Sequence, residues 1–132
     1  MKNQTQLITY VDRLSGGGFR DLEALLKGPL AGVFGGVHVL PFYHPIDGAD
    51  AGFDPIDHTV VDARLGTWDD VRSLGQAAEV VADLIVNHIS SESPQFLDFS
   101  ARGEDSPYAG MFLTFDRVFP EGARESDLLA IY

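Results

Sequence analysis

Two groups of polar residues have the types and spacing to do chemistry. One is Asp83-x-x-x-Asn87-His88, which closes the apolar run VVADLIVNH from Val80 to His88. The other is GADAGFDPIDHTVVD, Gly48 to Asp62, within a longer stretch that carries the five aspartates Asp47, Asp50, Asp54, Asp57 and Asp62. Carboxylates and imidazoles can accept or donate hydrogen bonds, move protons or hold a metal. So many acidic side chains in one loop raise a calcium site. Their spacing does not match D-x-[DN]-x-[DN]-G, and no metal is expected. Gly16-Gly17-Gly18 would suit a phosphate cradle, but no GxxxxGK[ST] follows and a turn is the expected reading. The chain has no cysteine, so neither a disulfide framework nor a thiolate metal site is available.

Elements must bring these groups together. Val80–His88 is rich in Val and Ile, bounded by polar residues, and reads as a strand buried on both faces. That places Val80, Val81, Ile85 and Val86 in the core and delivers His88 to the ligand face at the strand's C-terminal end. A helix end, or a core histidine satisfied by a carbonyl, fits the same pattern. Gln6–Tyr10 is a short strand candidate and Asp12–Gly18 a glycine-rich turn. Phe19, Leu22, Leu25, Leu26 and Leu30 have helical spacing, ended by Gly28-Pro29. Val37–Phe42 is a second buried strand, with His38 as a sheet-face or core histidine. Tyr43–Gly66 shows no helical period, and an irregular stretch of that length is usually functional. Thr67 can cap a helix reaching Ala78, with Asp69 and Asp70 in its first turn and Trp68, Val71 and Leu74 on one face. The order strand, helix, strand, loop, helix, strand predicts two βαβ units and a parallel sheet. A short helix is expected near Pro94–Ala101, then mostly loop with interspersed aromatics, and Asp127–Tyr132 is a candidate helix start.

The chain has 132 residues, is 45% hydrophobic, and carries a net charge of −11. One domain with a real core fits that length. Strong acidity argues against nucleic acid and anionic membranes as partners. No apolar run approaches a membrane span, the N-terminus lacks the parts of a signal peptide, and a cytoplasmic protein is the default expectation.

The DxxxNH pattern at the third strand's end resembles a signature region of the α-amylase superfamily of (β/α)8 barrels. VHVLPFYHPIDGADAGFDPIDHTVVDARLGTWDDV, Val37 to Val71, is similar to the sucrose phosphorylase branch of that superfamily, as are QLITYVDRL and MFLTFDRVFPEG. The resemblance implies an α/β fold: about three β/α units of a TIM (β/α)8 barrel in residues 1–88, then the start of the insert after strand 3 in residues 89–132. It implies that Asp50 and His88 hydrogen-bond the hydroxyls of one glucosyl unit and that Phe53 offers it an apolar face. It also implies that Asp83 and Asn87 hold the strand end in place. His44 and His58 either line the entrance or cap turns, and Tyr132 would begin a loop on the acceptor side.

Retaining glucosyl transfer needs a carboxylate nucleophile and a carboxylic acid about 5 Å apart. In the superfamily these follow later strands, so this chain is expected to hold no catalytic residue. A full barrel takes about 250 residues. The implied parent reaction is reversible glucosyl transfer from sucrose to phosphate with retention, needing no cofactor beyond phosphate as co-substrate. A cut barrel would expose strand edges, so self-association or pairing with a complementary part is expected. Competing readings are a sucrose hydrolase or another glucoside phosphorylase, a non-catalytic carbohydrate-binding domain using Asp50, Phe53 and His88, and a flavodoxin-like module.

Overall fold

In chain order the first part of the molecule forms β1 (Gln6–Thr9), α1 (Val11–Ser15), α2 (Phe19–Lys27), β2 (Gly36–Val39), β3 (Tyr43–His44), β4 (Asp57–Val61), α3 (Trp68–Ala77) and β5 (Glu79–Ala82). This computed structural model describes residues 4–45 and 52–130. The chain divides into two compact units, Met1–Ser93 and Pro94–Tyr132.

β1, β2 and β5 form one parallel sheet in that order. Register puts Leu7, Val37 and Val80 on one face, with Val39 two residues along. This face packs against the apolar stripes of α2 and α3, in a core of Phe19, Leu22, Val37, Val39, Phe42 and Leu74 that is wholly buried. Burying each such side chain stabilises by roughly 1.5–3 kcal/mol. The opposite face carries Ile8, His38 and Val81, which lie opposite one another across the strands. Ile8 is 63% exposed there. The strands thus advance in one direction with both crossover helices on one face. A flavodoxin-like sheet reverses its strand order and takes helices on both faces, so that reading fails. A sheet wound one way is the beginning of a barrel.

Local chemistry explains the helix ends. Thr67 accepts from the Asp70 N–H while the Asp70 carboxylate accepts from the Thr67 N–H, a reciprocal cap at the start of α3. Gly18 marks a close approach: a Cβ there would lie 2.4 Å from the Leu65 carbonyl oxygen, which accepts from the Phe19 N–H at 2.8 Å. Gly16 ends α1 in the left-handed region at φ 75°. The expected turn at Asp12–Gly18 is therefore helical up to Ser15, whose hydroxyl donates to the Val11 carbonyl at 2.6 Å. Five residues are too few to show a period.

Two further expectations are corrected. The stretch Tyr43–Gly66 contains an antiparallel pair, β3 with β4, built on the β-branched residues of DHTVV. And β5 stops at Ala82, well short of His88. Ile85 is buried, but Leu84 is 64% and Val86 80% exposed, so Val86 is not a core residue. Among the described residues β5 has β2 as its one strand neighbour, and nothing extends the ladder past Ala82 on the far side.

Arg20 on α2 donates to the Asp70 carboxylate on α3 at 2.7 Å. That bond, with those from Thr67, lowers the Asp70 pKa to about 2. The folded value lies below the ordinary carboxylate value of about 3.9. Its contribution is therefore fully present above about pH 4 and lost as the pH falls toward 2. Asp70→Asn is expected to flatten the stability profile over that window in urea titrations. An acid loss identical to that of the parent chain would refute the assignment.

The second unit comprises α4 (Pro94–Arg102), two short 3₁₀ turns at Gly103–Asp105 and Ala109–Met111, α5 (Phe115–Val118) and α6 (Glu125–Leu128). It packs around Phe112, stacked on Phe99 at 4.8 Å and edge-on to Phe96 at 5.6 Å. Arg117 ties it together by donating to Glu104 and the Ala109 carbonyl.

Candidate functional site

Parallel pairing of β2 with β5 places the chemistry. His38 lies opposite Val81, so Asp83, two residues on, shares its face one step along. The His38 Nε2 and Asp83 carboxylate meet at 2.7 Å, both side chains about 30% exposed. Burial first, and then the Asp83 charge, push the Tyr43 hydroxyl up from its usual value. Tyr43 is itself held in the core, tilted on Phe42 at 4.6 Å with Trp68 at 6.4 Å. Trp68 is fixed by its indole N–H, which donates to the Thr59 carbonyl at 2.6 Å.

Beyond β5 the chain bends back toward the β3–β4 connection. The His88 imidazole donates from Nε2 to the Phe53 carbonyl, and the Ser90 N–H donates to the Pro55 carbonyl at 3.1 Å. His58 on β4 donates from Nε2 to the Ile85 carbonyl at 2.7 Å. With Nε2 engaged, His88 has Nδ1 without a partner among the described residues and so left for a ligand. That atom accepts from a hydroxyl when the ring is neutral and donates only when it is charged.

The structure thus brings Phe53 and His88 together, and Asp83 beside His38 and Tyr43. Asn87 is exposed in the loop after β5, not on the strand. Its position follows from the early end of β5. His44 is exposed on β3, and its carbonyl accepts from the Ile56 N–H at 2.9 Å. Asp50 and Tyr132 lie outside the described residues. Asp57 is spent on the turn: the Thr59 hydroxyl and N–H both donate to it and lower its pKa. Asp62 is buried against Arg64. Among the described residues no three His, Asp or Glu side chains gather to hold a metal.

The residues missed in the sequence are Tyr43 and the pairing of His38 with Asp83. Their signal was present: YHP follows the second strand directly, and a histidine and an aspartate sit on adjacent strands at registers two residues apart. What the sequence could not supply was the register.

No family model matches the chain. The sucrose phosphorylase of Agrobacterium vitis is 67% identical over all 132 residues, which are 27% of that protein. The sucrose phosphorylase of Bifidobacterium adolescentis is 57% identical, again over the whole chain and 26% of its own length. The crystal structure of sucrose 6F-phosphate phosphorylase from Thermoanaerobacter thermosaccharolyticum superposes with a TM-score of 0.82 at 39% identity, covering 94% of this chain and 25% of that one. Trehalose-6-phosphate hydrolase of Bacillus licheniformis, at 23% identity and a TM-score of 0.66, shares the fold, over 81% of this chain and 21% of its own. The chain spans about a quarter of the length of the relatives it matches. Over that quarter its sequence is similar to those of sucrose phosphorylases, and its fold is the N-terminal part of a TIM barrel, not closed here.

Proposed function

We infer that this chain is the N-terminal portion of a sucrose phosphorylase-like enzyme of the α-amylase superfamily, and that it supplies one side of a hexose-binding subsite. The observation that carries this reading is the bond from His88 to the Phe53 carbonyl, which joins the two sequence clusters at the C-terminal rim of the parallel sheet. A barrel enzyme puts its ligand at that rim. The reading assigns Asp50 and His88 to the hydroxyls of a glucosyl unit and Phe53 to its apolar face. Charged acceptors make the short, strong hydrogen bonds such hydroxyls need. Asp83, held by His38, supports the rim, while His44 stands at its entrance.

The parent activity would be glucosyl transfer from sucrose to phosphate with retention, phosphate entering as co-substrate and no resident cofactor being required. The nucleophile and acid belong to later strands, so these residues bind and orient but do not break the bond. No helix of the described residues is long and apolar enough to cross a membrane. A cytoplasmic setting, with no nucleic-acid or membrane partner, accords with the acidity of the chain.

The purified 132-residue chain is expected to release no fructose from sucrose in the presence of phosphate. It is also expected to scatter light as an associated species, because Ile8, Leu84 and Val86 stand exposed on or beside the open sheet. Phosphate-dependent fructose release would overturn the division of labour, and a monodisperse monomer would overturn the association.

A further inference from the structure

Three hydrogen bonds lash residues 53–58 to residues 85–90, and one of them comes from a side chain given no ligand role above. We propose that His58 is a positioning residue for the hexose subsite, its Nε2–H fixing where the loop after β5 presents His88. The inference rests on the hexose-binding reading.

Leu84 and Val86 are 64% and 80% exposed, and Ile85 between them, at 6%, is the buried apolar residue of the loop. His58 takes the Ile85 carbonyl at 2.7 Å, at that same residue. A carbonyl only accepts, so the His58 Nε2 must carry a hydrogen. The ring is itself placed from the core: it lies 5.7 Å from the ring of Tyr43, which is 4% exposed and packed on Phe42. Position therefore passes from the core aromatics through His58 to Ile85, and three residues later to His88. His88 then closes the circuit by donating back to Phe53. Without the His58 donor the loop can turn about Ile85, and the two hexose contacts lose their common frame.

The test uses the intact protein that carries this segment, with glucose as a competitive inhibitor of sucrose phosphorolysis. His58→Phe keeps a ring against Tyr43 but has no donor, whereas His58→Gln restores one. His58→Phe is expected to raise the glucose inhibition constant and the KM for sucrose by about tenfold, the scale of one lost hydrogen bond. His58→Gln is expected to stay within about threefold of the parent. Both variants should melt within a few degrees of the parent, which separates positioning from folding. An unchanged inhibition constant in folded His58→Phe would sink the proposal. So would a His58→Gln as impaired as His58→Phe, or a His58→Phe that does not fold at all. Asp50→Ala and His88→Ala run alongside. If neither weakens glucose, the hexose reading itself falls and takes this inference with it. If both do and His58→Phe does not, only the role of His58 is lost.

Discussion

Phe42→Ala is expected to cost this chain about 3–5 kcal/mol, a large part of the 5–15 kcal/mol that holds a typical domain together. Phe42 is wholly buried and meets three rings: Phe19 edge-on at 5.1 Å, Tyr43 at 4.6 Å and Trp68 at 5.8 Å. These come from α2, β3 and α3, so a void at Phe42 cannot be filled by moving one neighbour. Urea titration followed by far-UV circular dichroism reads the loss. A cost below about 1 kcal/mol would mean that the core collapses onto the gap, contrary to the packing seen.

Asp50→Ala is expected to lower kcat/KM for sucrose phosphorolysis by the intact protein by about a hundredfold or more. A carboxylate bonded to sugar hydroxyls contributes about 1.5–3 kcal/mol for each charged hydrogen bond, and two such bonds reach at least that factor. Asp50→Asn keeps the shape without the charge and is expected to recover only part of it. A change of less than about threefold in Asp50→Ala would remove Asp50 from the subsite.

What the sequence disclosed follows physical lines. The helix from Thr67 was legible because its cap is local: Thr67 and Asp70 stand three residues apart and recognise each other wherever the chain goes. The parallel order of β1, β2 and β5 was legible from the alternation of apolar runs with helical stripes. The β3–β4 pair was not, because Tyr43–His44 is two residues long and carries no period. The extent of β5 was misjudged for a different reason. VVADLIVNH has the composition of a strand buried on both sides, and composition does not say which neighbours stand beside it. At the site, the DxxxNH and GADAGF clusters named two stretches whose described parts meet where His88 bonds to the Phe53 carbonyl. The His38–Asp83 pair depends on a register linking residues 45 positions apart, and no local pattern encodes that. The role of Asp50 rests on resemblance and on the proposed experiment.

The one-sided winding of the sheet has a dynamic consequence. On the flank of β5 turned away from β2, alternate backbone amides meet no ladder partner among the described residues. Those amides should take up deuterium far sooner than the β2 amides between two strands. Opening would then begin at the edge strands β1 and β5 and travel inward, so the loop carrying His88 would loosen while Val37 and Val39 remain locked.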